Sequence, residues 1–250
     1  MRATFEIRGM AFLLTLGIAV LVPALSAAAC RNTAFEGASY TLCDVASSDD
    51  LRLFHSGPDG VLGSFSAVED TLAPFGKTLG FAMNAGMYHP DRAPVGLLVQ
   101  GGKPQSKLIT SDGPGNFGLL PNGVFCVGDT FSVIESHAFA KTKPVCTYAS
   151  QSGPLLVIDG ALHPKFLRSS PSKFIRNGVG VSADGARAVF AISNDPVNFH
   201  AFARLFRDAL DLPNALYFDG KVSRLYAPDI GRDDIGFSLG PIIGTVVPKG

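Results

Sequence analysis

Residues 178–192, GVGVSADGARAVFAI, place Asp184-Gly185 between two apolar runs and determine the fold more clearly than any other stretch of the chain. An Asp-Gly or Asn-Gly pair in this position is the strongest short-range signal of a β-hairpin. Similar turns recur at Gly101-Gly102 after residues 96–100, at Pro121-Asn122-Gly123 between residues 118–120 and 124–127, and at Asp159-Gly160 after residues 155–158. The pattern predicts a mixed, mostly antiparallel sheet built from hairpins.

Helical patterns are confined to short stretches. Phe199, Phe202 and Phe206 recur at helical spacing within residues 196–210, which predicts a helix whose aromatic stripe lies in the core. Residues 66–69, SAVE, have the pattern of a capping box and predict a second short helix. The fold class that follows is α+β, with two or three helices packed on the sheet.

Residues 1–29 have the features of a secretory signal peptide, with Arg2 and Arg8 before an uncharged apolar run and small residues at 26–29. Residues 30–250 then form one domain, exported to the periplasm or the cell exterior. Two alternatives remain open from the sequence. The apolar run is retained as a membrane anchor, or Cys30 is the lipid-bearing residue of a lipoprotein.

Composition limits the partners of the exported domain. Without Arg2, Glu6 and Arg8 the chain has 19 basic and 20 acidic residues, a net charge near −1. This balance argues against a nucleic-acid partner and requires any anionic ligand to be bound by a local site. The composition leaves the oligomeric state undetermined. We expect no transmembrane span after signal cleavage.

The four cysteines indicate disulfides, because an even number in an oxidising compartment is typical of bridged proteins. Three pairings are possible, and we expect the sequential one, Cys30–Cys43 and Cys126–Cys146. The cysteine and histidine spacings match no zinc pattern, so neither a metal nor another cofactor is expected.

Four further apolar runs are interpreted as strands: residues 38–45, 51–55, 79–83 and 215–218. The strand at 51–55 is expected to pair with the strand at 38–45.

Polar, Gly-containing segments lie at the ends of buried strands, a common location for functional sites. They are Asn84-Ala-Gly-Met-Tyr88, Gln151-Ser-Gly-Pro154, Arg176-Asn-Gly-Val-Gly180 and Asp219-Gly-Lys-Val-Ser223. Each segment alone has a structural explanation, as a turn, a strand end or a surface ion pair.

Taken together, the four segments resemble, in their order, the motifs of the phosphodiester glycosidase family, whose members cleave a sugar from a phosphodiester. Ala85, Tyr88 and Lys221 depart from the family pattern. The resemblance implies a hydrolase acting on the glycosidic bond of a sugar phosphodiester or phosphorylated glycan. The alternatives are a non-catalytic phosphoglycan-binding protein of the same fold, and an envelope assembly factor anchored through Cys30.

The resemblance and the residue types together assign candidate roles. Glycosidases commonly use two carboxylates. Asp219 is the first candidate, as base, nucleophile or electrostatic stabiliser, and Asp195 the second unless it caps the following helix. Arg176 is expected to clamp the phosphate with its planar fork of donors. The remaining candidates position the sugar or its phosphate: Asn84, Gln151 and Ser152 through their side chains, Tyr88 by stacking, and Gly86, Gly153, Gly220 and Ser223 within the motif loops.

Overall fold

The computed structural model describes Met1 and residues 29–250, so the predicted signal peptide lies almost wholly outside the described residues. The strands are β1 (Cys30–Phe35), β2 (Ala38–Ala46), β3 (Leu51–Phe54), β4 (Ser56–Gly57), β5 (Gly60–Val61), β6 (Lys77–Asn84), β7 (Leu98–Gln100), β8 (Lys103–Pro104), β9 (Gly123–Val127), β10 (Phe131–Glu135), β11 (Tyr148–Ser152), β12 (Leu155–Ile158), β13 (Ala161–Leu162), β14 (Asn177–Val181), β15 (Arg187–Ser193), β16 (Asn214–Asp219), β17 (Leu225–Ala227), β18 (Arg232–Asp233) and β19 (Ile242–Pro248). The α-helices are α1 (Phe65–Leu72), α2 (Ser136–Thr142) and α3 (Phe199–Arg204), and α3 continues as a π-helical turn over Leu205–Ala209.

Three sheets account for most of these strands. The largest has the order β1-β2-β15-β14-β16-β12-β13, the second β10-β9-β11-β7-β8, and the third β18-β17-β6-β19-β3. Within the described residues, every pair of named strands is antiparallel. The hairpin at Asp184-Gly185 is present as β14 and β15. The predicted α+β class, with a mostly antiparallel sheet and three helices, is confirmed.

Three local predictions were wrong. Residues 51–54 pair with β19 rather than with β2, which lies between β1 and β15. Residues 118–120 form no strand, and β9 pairs instead with β10 and β11. Helix α1 begins at Phe65, because Ser64 is the residue whose side chain accepts from the Ala67 N–H. Local turn signals do not report such long-range pairings.

The core lies between the sheets and on both faces of the largest one. On one face, Phe81, Phe125 and Phe190 bring the three sheets together, with Phe125 edge-on to Phe190 at 5.7 Å between ring centres. On the other face, Phe202 and Phe206 of the α3 region are fully buried. The predicted aromatic stripe is therefore core, and burial of such side chains dominates core energetics.

Both predicted disulfides, Cys30–Cys43 and Cys126–Cys146, are formed. The Cys30 sulfur is therefore occupied by Cys43, which argues against its use for lipid attachment. Among the described residues, no helix has the length and apolarity needed to span a bilayer.

Candidate functional site

Two of the three sheets meet where the motif segments lie. Strand β6 of the third sheet ends at Asn84, while β14 and β16 of the largest sheet bring Asn177 opposite Asp219. Because antiparallel neighbours place one strand's beginning beside the other's end, residues from distant segments converge at this edge.

A pair of fully buried asparagines forms the floor of the site. The Asn177 Nδ2 donates to the Asn84 backbone oxygen at 2.7 Å and to its Oδ1 at 3.2 Å. Asn84 Nδ2 donates back to Asn177 Oδ1 at 3.3 Å, and Ser223 Oγ donates to the same oxygen at 3.1 Å. The Arg224 backbone N–H donates to Asn84 Oδ1 at 2.9 Å. This network joins the two sheets, and it gives Asn84 and Ser223 structural partners within the site.

Asp219 lies half-buried at the end of β16. Its Oδ1 accepts hydrogen bonds from the Gly220 N–H at 2.5 Å and the Lys221 N–H at 2.9 Å. Within the part of the chain that the structure describes, Oδ2 makes no hydrogen bond. Burial raises the pKa of the carboxyl, while the two backbone N–H groups oppose that rise. One oxygen is thus fixed and the other is free to meet a ligand.

Arg176, the predicted phosphate clamp, is fully buried. Its Nε donates to the Val197 carbonyl at 2.8 Å, and its two terminal nitrogens donate to the Tyr217 hydroxyl at 3.2 Å and the Ser172 carbonyl at 3.1 Å. The guanidinium also lies 3.7 Å from the centre of the Phe199 ring. Three of its five N–H donors therefore have protein partners, and a direct fork onto phosphate stays a prediction.

Gly220 lies close to the Tyr217 hydroxyl and the Arg176 guanidinium. A Cβ placed on Gly220 would overlap the Tyr217 hydroxyl and lie 3.5 Å from a terminal nitrogen of Arg176. Burial raises the pKa of Tyr217, and the nearby Asp219 charge raises it further, so the hydroxyl stays protonated. Arg176 and Tyr217 thus pack against the turn that follows Asp219.

Gln151 and Ser152 are also fully inside the protein. The Gln151 Oε1 accepts from the Leu97 and Ile109 N–H groups at 3.0 and 2.9 Å, and its Nε2 donates to Ile109 O and Ser136 Oγ. Ser152 Oγ donates to the Phe218 carbonyl at 3.0 Å. Their predicted contact with substrate is corrected to bracing of the surrounding strands, since these groups already have protein partners.

Asp195 does not join Asp219. It is exposed beyond the end of β15, and its Oδ2 accepts from the Ser39 N–H at 2.8 Å. It does not cap α3 either, because Asn198 does so by accepting from the Ala201 N–H. The prediction of Asp195 as the second catalytic carboxylate is therefore not supported by its position.

Tyr88, Gly86 and Gly153 complete the motif residues. Tyr88 is half-buried, with its hydroxyl donating to the Ser238 carbonyl at 3.2 Å. Burial raises the pKa of Tyr88, and the Asp219 charge adds to this rise, which places the two groups in one electrostatic neighbourhood. Gly86 has a φ of 142°, where a side chain is disfavoured, and lies against Ser150. Gly153 is buried, beside Asn122.

Asn177, Tyr217 and Arg224 were not predicted from the sequence as individual site residues. Each lies next to, or two residues from, a motif residue that was singled out. Asn177 follows Arg176, Tyr217 precedes Asp219 by two residues, and Arg224 follows Ser223. The sequence signal that could have drawn attention to them is the alternation of side chains along a strand, because neighbouring residues on a strand face opposite sides of the sheet.

Arg176 and Arg224 are both buried, and neither forms an ion pair among the described residues. The Arg224 Nε has no hydrogen-bond partner, while one terminal nitrogen donates to the Phe237 carbonyl. Burial lowers the pKa of both guanidinium groups. Buried charges in proteins are usually paired. The Asp233 and Asp234 charges oppose the fall of the Arg224 pKa, and the Tyr217 hydroxyl opposes that of Arg176. In the described ranges, no group of three or more His, Cys, Asp or Glu residues is placed to hold a metal ion.

The chain is similar to a known protein family and to a curated bacterial protein. The model of the phosphodiester glycosidase family matches residues 77–233. An uncharacterized protein of Escherichia coli K12, YigE, is 38% identical over 146 residues, which cover 58% of this chain and 57% of that protein. The chain thus matches little more than half the length of this curated relative.

Two solved structures share the fold. One is the catalytic domain of zebrafish N-acetylglucosamine-1-phosphodiester alpha-N-acetylglucosaminidase, auto-inhibited by its pro-peptide, with a TM-score of 0.61, 12% identity, and coverage of 86% of this chain and 81% of that one. The other is a hypothetical protein from Synechocystis, with a TM-score of 0.55, 14% identity, and coverage of 87% and 61%. At these identities the likeness shows the fold alone. The family match spans more than half of the chain and both ends of the site, and the chain belongs to the phosphodiester glycosidase family.

Proposed function

We propose that this protein hydrolyses the glycosidic bond of a sugar phosphodiester in the cell envelope, with Asp219 as the carboxylate at the reacting carbon. The observation that carries the proposal is the state of this carboxylate. One oxygen is fixed by two backbone N–H groups, and the other is without a hydrogen bond among the described residues. Family membership supports the reaction class.

In the proposed reaction, the bond between the anomeric carbon and the phosphate oxygen breaks. Water adds to the anomeric carbon and supplies its second proton to the medium or the leaving group, and the phosphate leaves as a monoester. Positive charge develops at the sugar as the bond lengthens. Ionised Asp219 stabilises that charge or bonds to the carbon, and the phosphate needs little acid assistance because it is already a good leaving group.

The positive potential of the site supports an anionic substrate. Arg176 and Arg224 remain buried without ion pairs, and Lys221 is exposed on the turn after Asp219. A phosphodiester would supply a negative charge for Arg176, which forms no ion pair among the described residues. Arg176 would act at a distance, through the Tyr217 hydroxyl and the turn above it, rather than by touching the phosphate.

The test is release of free reducing sugar from a panel of sugar 1-phosphodiesters by the purified protein. Asp219→Asn should lower kcat by roughly 10²- to 10⁴-fold, the usual contribution of a positioned catalytic carboxylate. Asp195→Asn is the matched control, since this exposed carboxylate lies outside the site, and it should retain activity. Full turnover in Asp219→Asn would exclude the proposed role.

The alternative is a phosphoglycan-binding protein of the same fold. The position of Asp195 favours it, because the expected second carboxylate does not reach Asp219. Calorimetry with the same panel separates the two functions. Binding of a sugar phosphodiester without release of sugar, under all conditions tried, would support the binding protein and reject the hydrolase.

A further inference from the structure

A cavity lies at the second sheet, and Asp219 is not among the residues that line it. It has a volume of about 470 Å³. Its walls come from β7, β8, α2 and the segment that follows α2, and apolar side chains dominate them: Leu97, Val99, Leu108, Phe139, Val145 and Cys146. None of these residues belongs to the candidate site described above. The volume is within the range of small-molecule sites in proteins.

Hydrogen bonds and a disulfide fix the walls of the cavity. The Gln151 side chain bonds to Leu97, Ile109 and Ser136, which lie at the start of β7, after Leu108 and at the start of α2. The Cys126–Cys146 disulfide fixes the opposite wall to β9. Such bracing indicates a preformed site rather than a gap between mobile segments.

One lysine lines this cavity, and three more are adjacent in sequence to residues that line it. Lys143 lines it, and Lys103, Lys107 and Lys141 are exposed next in sequence to the lining residues Gly102, Leu108 and Ala140. Neither residues 97–111 nor residues 136–150, which supply these walls, contain an Asp or Glu. The domain as a whole is nearly neutral, so this concentration of four lysines is a local feature.

Two rim residues shape the mouth of the cavity. Lys143 ends α2 with a φ of 47°, the left-handed conformation common at a helix C-terminus, and its N–H donates to the Phe139 carbonyl. Val145 is 93% exposed and adds an apolar side chain to the mouth.

We propose that this cavity binds one acyl chain of a single-chain anionic amphiphile, with its carboxylate or phosphate headgroup on Lys143 and the adjacent lysines. The apolar walls accommodate the chain, and removal of its surface from water drives binding. The lysines select the negative headgroup and disfavour a positive one. The proposal does not depend on the activity of the Asp219 site.

The experiment is isothermal titration calorimetry of the purified protein with laurate and with dodecyl phosphate, each below its micelle concentration. Both should bind with 1:1 stoichiometry, and dodecyltrimethylammonium, which has the same chain and a cationic head, should bind at least tenfold more weakly. Absence of binding by both anionic probes would overturn the proposal. Equal binding of the cationic probe would overturn the role of the lysines.

Two variants locate the ligand. Lys143→Glu should weaken laurate at least tenfold, whereas Lys249→Glu, a charge reversal at an exposed position near the C-terminus, should leave it unchanged. Ala140→Trp fills the mouth from an exposed position and should abolish binding of both anionic probes. Unchanged binding in Lys143→Glu and Ala140→Trp would place the ligand elsewhere. Binding to phosphatidylglycerol vesicles without binding of either monomeric probe would identify a membrane surface and overturn the cavity proposal.

Discussion

Replacing Asn177 with alanine tests whether the buried asparagine pair joins the two sheets beneath Asp219. The substitution removes both hydrogen bonds from Asn177 Nδ2 to Asn84, and it leaves the Asn84 side-chain N–H group without its acceptor. Ser223 retains a second acceptor, the Asp219 carbonyl, at 2.9 Å. Three polar groups of Asn84 therefore lose a bond. Oδ1 keeps the Arg224 N–H, so the backbone oxygen and the side-chain N–H group are the two most affected.

Each such loss costs about 1–3 kcal/mol, so the free energy of unfolding should fall by about 2–6 kcal/mol. Urea denaturation followed by far-UV circular dichroism measures the change. Asn194→Ala is the control, because Asn194 is exposed and water can replace its bonds. It should cost less than about 1 kcal/mol.

A double-mutant cycle makes the reasoning refutable. Asn84→Ala combined with Asn177→Ala removes the unpaired side-chain groups along with their partners, and only the backbone oxygen at position 84 remains without the Asn177 donor. The double variant should therefore be more stable than the sum of the two single losses predicts, by at least about 1 kcal/mol. Additive losses, or a loss below about 1 kcal/mol in Asn177→Ala, would show that the pair does not hold the sheets together.

Three further outcomes follow from the same structure. Gly220→Ala should leave the protein folded but lower kcat at least tenfold, because the added methyl group displaces the Tyr217 hydroxyl under the Asp219 turn; unchanged kinetics would contradict this. The acid limb of kcat/KM should lie above about 3.9, the ordinary value for Asp, because burial raises the pKa of Asp219 and the proposed role needs its ionised form. Stability changes with pH in the opposite direction to activity. Because the native state binds the Asp219 proton more tightly than the unfolded state does, the free energy of unfolding decreases as pH rises through the ordinary pKa of Asp and the raised pKa of Asp219. Replacing Cys126 and Cys146 together with serine should lower the free energy of unfolding by about 3 kcal/mol in urea titrations, given their separation of 20 residues, and no change would show that the bridge is dispensable.

The sequence predicted those parts of the fold that local chemistry determines. Asp184-Gly185 lies between two adjacent strands, and Asp219 lies at the end of a buried strand, as turn signals and apolar runs indicate. The pairing of β3 with β19 could not be predicted from the sequence, because nearly 200 residues separate the two strands and no turn connects them. Local patterns specify hairpins, whereas long-range pairing depends on the packing of the whole chain.

The direction of side chains limited the prediction of the site. Strand β14 is buried along its whole length, so its sequence has no polar face to show which residues point toward the ligand. The register shift between Asn177 and Gly178 against β16 changes that direction further. Arg176 was consequently assigned to the phosphate and Asn177 overlooked, although the structure buries the guanidinium among aromatic rings.

Strand β11 shows why the Gln-Ser-Gly-Pro segment has a structural role without touching substrate. Its adjacent residues point to opposite sides, as they must in a strand. Ser152 bonds to β16 one residue before Asp219, and Gln151 bonds to the walls of the lysine-rimmed cavity. The buried amide of Gln151 has each of its polar atoms bonded, so it fixes those walls at little cost in unsatisfied groups. One short strand thereby braces both the strand that carries Asp219 and the walls of the cavity.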